Sequence, residues 1–258
     1  MGTGGENGNR IYIYCLAESG MAKEFNVQPI GYSGGRVYTI CHADLSAVVS
    51  DAPRGECRVT RDNVLAHQLV MEAVMMEHTI LPVRFATIAE GKREQSAEQR
   101  IVEKVLQARY SEFQKLLAKL NGKIALGVKA LWQDLNSVFA EIAEQDPALH
   151  RLRGRSAPQH VRMQVGEKVK KALEQKRAKE ESAILSVLCP VAQEVRKTEK
   201  THDRMVINAT FLLSASRKPE FDRRINQLAG SHQGRMKLRY VGPLPPSDFI
   251  EIVVNWEE

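Results

Sequence analysis

The chain reads as an α+β protein in two halves, each a mainly antiparallel sheet backed by helices. Three observations carry that reading. Short stretches rich in Ile, Val, Tyr and Thr alternate with longer stretches of helical period. Neighbouring strand candidates are joined by short turns, which pair strands antiparallel. A helical pattern stops at Asn121-Gly122, two residues that tolerate the left-handed conformation of a helix end, and a strand-period segment begins there. The organisation that follows is a disordered glycine-rich start (1–9), an N-terminal α+β domain (10–120) and a C-terminal domain (121–258).

In the N-terminal half, "RIYIYCLAE" (10–18), "RVYTICHA" (36–43) and "DLSAVVSD" (44–51) read as strands. The period then changes. Leu65, Leu69, Ala73 and Met76 recur at helical spacing behind Thr60, a candidate N-cap, so these four predict a buried face. "TILPVRFATI" reads as one short strand carrying a single arginine, Arg84. Ser96 and Gln99 form a capping box that opens a second helix, with Val102, Leu106, Phe113, Leu117 and Leu120 as its inward stripe.

In the C-terminal half, "KIALGVKALW" alternates as a strand and Asp134 caps a short helix. A long helical stretch over about 159–197 has Val161, Val165, Val169 and Leu173 on one face, resumed by Ile184, Leu188, Val191 and Val195. The run "EQKRAKEES" between them has almost nothing apolar and predicts a solvated middle. "MVINATFLL" is a strand, "KPEFDRRINQLAG" a helix with Pro219 in its first turn, and "RMKLRYV" and "DFIEIVV" two further strands. The order strand, helices, strand, helix, strand, strand is a variation on the ferredoxin-like split βαβ arrangement. Pro243, Pro245 and Pro246 in "YVGPLPPSDFI" cannot donate to a ladder, so that segment predicts a stiff, exposed arch between the last two strands.

The totals narrow the function. With 43% hydrophobic and 26% charged residues the composition is that of a soluble globular protein. "TILPVRFATIA" and "AILSVLCPVA" fall short of the roughly 18–20 apolar residues of a spanning helix, so no membrane segment is expected. "MGTGGENGNR" has no apolar core and is not a secretory signal, and Glu6 stands where a myristoylation signal wants Ser or Thr. Cys15, Cys41, Cys57 and Cys189 show no CxxC pairing and read as structural thiols in a reducing, cytoplasmic setting. The formal charge of +6 invites a nucleic-acid partner, but the excess is dispersed. Its densest cluster, Arg151, Arg153, Arg155 and Arg162, reads as a basic linker or an acidic-partner contact. An exposed platform would have to come from Tyr12, Tyr14 and Tyr38, for which a core reading serves equally.

No catalytic motif stands out: GxGxxG, Walker A, GxSxG and HExxH are all missing, and the seven histidines are dispersed. Cys41 and His42 are strand neighbours and point to opposite faces. No catalytic residue, metal or cofactor is therefore assigned. Arg84 is the conspicuous charge: buried in "ILPVRFATI" it needs a partner, either an acid such as Asp51 or Glu77 or a group on another protein.

"LPVRFATI", "GVKALWQD", "NATFLLS" and "YVGPLPPSDF", in this order and at these separations, together resemble the GvpL/GvpF family of gas vesicle proteins. "YIYCLAE" and "HADLSAVVSDAP" resemble that family's N-terminal part, so the similarity extends from about residue 10 through nearly the whole chain. The chain departs from the family pattern at Ala86, where glycine is usual, at Leu244, where tryptophan is usual, and at Ser247-Asp248, where Tyr-Ser is usual. It also lacks the usual tyrosine-leucine pattern after Gly154.

The resemblance implies a C-terminal domain with a modified ferredoxin fold and a non-enzymatic accessory or minor structural role in the gas vesicle. The implied partners are the small hydrophobic shell-forming subunit and other accessory proteins, bound during nucleation and assembly, with aggregation of the subunit held off. The alternative is a nucleic-acid-binding ferredoxin-like module. Candidate partner contacts are Arg84, Phe85, Pro243, Pro245, Pro246 and Phe249.

Overall fold

The computed structural model describes residues 9–32, 35–92, 94–145 and 159–256. Arg151, Arg153, Arg155 and the side chain of Arg162 lie outside the described residues, as do residues 1–8 of the glycine-rich start. The fold is α+β in two units, Met1–Ile124 with Leu244–Glu258, and Ala125–Pro243. The segment 244–258, read from sequence as part of the C-terminal domain, thus groups with the N-terminal unit.

In that unit, β1 (Arg10–Glu18), β2 (Glu24–Phe25), β3 (Val37–His42), β4 (Leu45–Asp51), β5 (Ile80–Pro82) and β6 (Ile88–Glu90) form one sheet. Its order is β2-β3-β4-β1-β5, and β6 also pairs with β1. The ladders between these strands are antiparallel. β1 is central and buried on both faces from Ile11 to Ala17, which explains its nearly unbroken apolar run. Tyr12 and Tyr14 face α1 (Arg61–Met75) in one cluster with Ala66, Val70, Met71 and Val74. α2 (Ala97–Arg100) and α3 (Tyr110–Leu120) also pack on β1.

The segment read as one strand over "TILPVRFATI" is two, β5 and β6, divided by a turn at Arg84–Thr87. Opposite that turn the β1–β4 register slips between Ile13 and Cys15. The slip frees β1 groups for the turn: Val83 N–H donates to Tyr14 O at 3.1 Å and Ile13 N–H to Thr87 O at 3.0 Å. The predicted capping box of Ser96 and Gln99 opens α2. A π-helical stretch, Ile101–Gln107, then inserts before α3. The wider turn moves the inward stripe to Ile101, Val105 and Leu106, leaving Val102 half-buried.

The second unit is built on β7 (Lys123–Trp132), α4 (Leu135–Gln145), α5 (Gln159–Leu188), β8 (Glu194–Lys197), β9 (Met205–Ser214), α6 (Lys218–Ser231) and β10 (Met236–Leu244), the first two residues of β7 and the last of β10 falling to the other unit. Its sheet order is β10-β7-β9-β8. Two expectations are corrected. The long helix ends at Leu188 because Pro190 cannot continue it, and Glu194–Lys197 is a strand antiparallel to β9. "DFIEIVV" is not a strand of this sheet; only Ile252 forms a bridge, and it does so in the other unit. With both changes the connectivity becomes β-αα-ββ-α-β, the split βαβ order with its first helix doubled.

The middle of α5 is solvated on one side and anchored on the other. The side chains of Lys176, Glu180 and Glu181 are 14%, 16% and 11% exposed. Lys176 pairs with Glu141 at 2.7 Å, Arg235 forks between Glu141 and Glu180, and the Trp132 indole N–H donates to Glu180. Glu181 holds Lys197 at 3.0 Å and Lys200 at 2.6 Å. Burial pushes the Glu181 carboxyl up, but the two ammonium groups outweigh it and hold it below its ordinary value. The helical gap in apolar residues is therefore bridged by ion pairs, which amphipathic periodicity does not register.

Candidate docking site

Helix α1 begins where Thr60 accepts the Asn63 N–H at 3.2 Å. One face is sealed onto the sheet: Ala66, His67, Val70, Met71 and Val74 are buried. The predicted face, Leu65, Leu69, Ala73 and Met76, is not the buried one. Leu65 is 49% exposed, Leu69 46% and Met76, at the C-cap, 85%. A helix has one side to offer a sheet, and the sheet took the side carrying His67. The second apolar stripe is left at the surface.

His67 sits within a buried polar relay. Its Nδ1 lies 2.9 Å from the Tyr12 hydroxyl, which accepts the Ala86 N–H at 3.1 Å. With Nδ1 accepting from Tyr12, the other ring nitrogen donates to the Val83 carbonyl. Burial lowers the imidazole pKa to about 4, although the bond to Val83 pulls it back up. Burial likewise pushes the Tyr12 phenol far above its ordinary range. The ring of Phe85 stands edge-on to His67 at 5.6 Å and to Tyr12 at 6.3 Å. The 84–87 turn is thus tied to the inner face of α1. Ala86 occupies a positive φ of 61° in it, and Thr87 Oγ1 donates to Arg84 O at 2.6 Å.

The six residues chosen from sequence are not brought to one surface. Phe85 packs against the core, Pro245 and Pro246 are buried, and Phe249 is half-buried. Pro243 is exposed, but it belongs to the other unit, on the edge strand β10. There Gly242 has a φ of 141°, and a Cβ on it would lie 2.7 Å from Leu126 Cδ2, so the arch is entered through a position that only glycine fills without displacement. The arch is therefore neither uniformly exposed nor a link between two strands of one sheet: the chain leaves one unit at Pro243 and enters the other at Leu244. Arg84 is exposed and pairs with Glu251 at 3.2 Å, not with Asp51 or Glu77. Glu77 is taken by Lys23.

Tyr12 and Tyr14, two of the three aromatics a nucleic-acid platform would need at the surface, are fully buried. Among the described residues no group of three or more His, Cys, Asp or Glu is placed to hold a metal ion, and no helix is long and apolar enough to cross a membrane.

The class defined here is a two-unit α+β protein whose salient surface feature is an uncovered apolar helix face. The chain belongs to the gas vesicle synthesis protein GvpL/GvpF family, whose model matches residues 10–251. Gas vesicle protein F of Streptomyces sp. (strain CB03234) is 28% identical over 246 residues, 93% of this chain and 99% of that one. The crystal structure of GvpF from Anabaena sp. PCC7120 superposes with a TM-score of 0.78 at 22% identity, covering 95% of this chain and 99% of the other. That of GvpF from Microcystis aeruginosa gives 0.72 at 20% identity, covering 93% and 98%. At these identities the structures establish the shared fold, and the family match establishes the association with gas vesicles.

Proposed function

We propose that this protein binds the small hydrophobic shell-forming subunit of the gas vesicle in the cytoplasm and delivers it to nucleation and assembly without chemistry of its own. The observation that supports this most directly is the exposed stripe of Leu65, Leu69 and Met76 on α1. A subunit that polymerises through apolar surface aggregates unless that surface is covered, and an apolar helix face covers it without any catalytic site. Methionine adapts its shape to the partner at little cost. Burying what remains exposed of the three side chains is worth about 1–2 kcal/mol each. Together that is on the order of a thousandfold in affinity.

The test is co-expression with the shell subunit. The wild-type chain should keep the subunit in the supernatant and co-purify with it. The triple variant Leu65→Ser, Leu69→Ser, Met76→Ser should fold normally, since these side chains face outward, yet release the subunit to the pellet. Undiminished capture by the triple variant would remove α1 as the docking face. Aggregation of the subunit beside the wild-type chain would remove the proposed role.

A further inference from the structure

The outer edge of β5 is covered by the chain's own residues 250–256, and the way they are held resembles a ligand seated in a groove. Ile252 is buried and forms a parallel bridge with Val83. Its N–H donates to Pro82 O at 2.7 Å, and its carbonyl accepts the Arg84 N–H at 2.9 Å. The ladder ends there for a chemical reason. Pro82 has no N–H to offer residue 250, and the Arg84 carbonyl is already taken by Thr87. Arginines grip the rest of the segment. Arg84 pairs with Glu251, Arg109 donates to Val253 O at 2.9 Å while Glu112 braces its guanidinium, and Arg100 lies over the Trp256 ring at 5.1 Å.

The groove thus reads one pattern: an acidic residue at Arg84, an aliphatic side chain beside Val83, and a carbonyl one residue further at Arg109. Its present occupant is joined to the sheet edge by a single bridged residue. Two backbone bonds and one buried side chain hold the centre, and the Arg84–Glu251 pair, 59% and 43% exposed, is of the kind that contributes little. Such a segment opens far more readily than the central strands.

We propose that the β5 edge is a docking groove for an extended peptide segment in which an acidic residue precedes an aliphatic one, and that the 250–256 strap fills it in the free protein and is exchanged for such a segment of a partner protein. Strand addition at a sheet edge supplies backbone bonds, while the alternate side chains supply the selectivity. Tethering gives the strap an effective concentration in the millimolar range, so a partner segment gains access as the strap weakens. The groove is separate from the α1 stripe, and a failure here leaves the α1 docking reading intact.

The experiment is fluorescence anisotropy with a labelled peptide of the sequence 248–256, titrated with the full-length chain. Ile252→Ala removes the strap's buried anchor and shifts strap opening by at least tenfold. The variant should bind the peptide at least tenfold more tightly than the wild-type chain. A peptide with Asp at the Ile252 position should not bind either. Equal binding by both chains, or none by a variant that melts as a folded protein, overturns the proposal. Should Ile252→Ala fail to fold, Glu251→Arg replaces it, with about a fivefold gain expected; adding Arg84→Glu to that variant re-pairs the strap and opposes the peptide's acidic residue, and should remove that gain. In the wild-type chain the amides of Arg84 and Ile252 should exchange at least tenfold faster than that of Val49, and equal protection would mark the strap as a fixed strand and overturn the idea.

Discussion

Replacing Ala86 by glycine should stabilise the N-terminal unit. Ala86 is held at φ 61°, where the methyl group of an L-residue crowds the carbonyl and costs about 1–2 kcal/mol. It cannot relax elsewhere, because its N–H is bonded to the buried Tyr12 hydroxyl at 3.1 Å and the turn around it closes on Arg84 O. The Ala86 side chain is at the surface, so removing its methyl opens no cavity. Glycine frees the unfolded chain and gives back roughly 0.4–1 kcal/mol. The net is a gain of about 0.5–1 kcal/mol, or about 1–4 °C in Tm for a chain of this size. The control is Ala178→Gly, on the exposed side of α5, where the same change should cost about 1 kcal/mol. Thermal melts of both variants decide the matter. A loss at Ala86 equal to the loss at Ala178 would show that the turn is not strained and refute the reasoning.

Two further outcomes are expected. His67 is neutral when folded, with a pKa near 4 against an unfolded value near 6.5. Its contribution is therefore complete above pH 6.5 and is lost as pH falls toward 4; the difference amounts to roughly 3 kcal/mol. Denaturant titrations from pH 7 to 4 should show that extra loss in the wild-type chain and not in His67→Gln, and parallel curves for the two would exclude His67 as the cause. In α5, Glu180→Ala strands the Trp132 N–H and leaves Arg235 with Glu141 alone, and should cost about 2 kcal/mol. Hydrogen exchange should find the amides of 176–181 protected in the wild-type chain, and rapid exchange there would mean that the ion pairs do not hold the helix down.

Most of the fold was legible because its elements announce themselves locally. Thr60, Ser96 with Gln99, and Asp134 each cap the helix they were read to cap, and β1, β7 and β9 carry unmistakable apolar runs. What escaped was set by partners distant in sequence. β8 was absorbed into a helix because Val191 and Val195 stay in phase with Leu188, and Pro190 had to be weighed as a terminator instead. Glu251 lies 167 residues from Arg84, so no local pattern could pair them. The strand expected at 248–254 failed because the residue before its bridge partner Val83 is Pro82, which cannot extend a parallel ladder.

The outward face of α1 bears on function. Val64, Leu65, Leu69, Val70, Met71, Val74, Met75 and Met76 surround more of the helix than one sheet can cover. Periodicity alone finds two acceptable stripes and cannot rank them. The ranking comes from His67, whose ring has partners only on the inside, in Tyr12 and Val83. Once His67 turns inward, Leu65, Leu69 and Met76 must turn outward. The sequence signal for a docking face was therefore an excess of apolar residues beside a polar residue that needs a buried partner. That excess, gathered on one face of one helix, asks for a second surface to cover it.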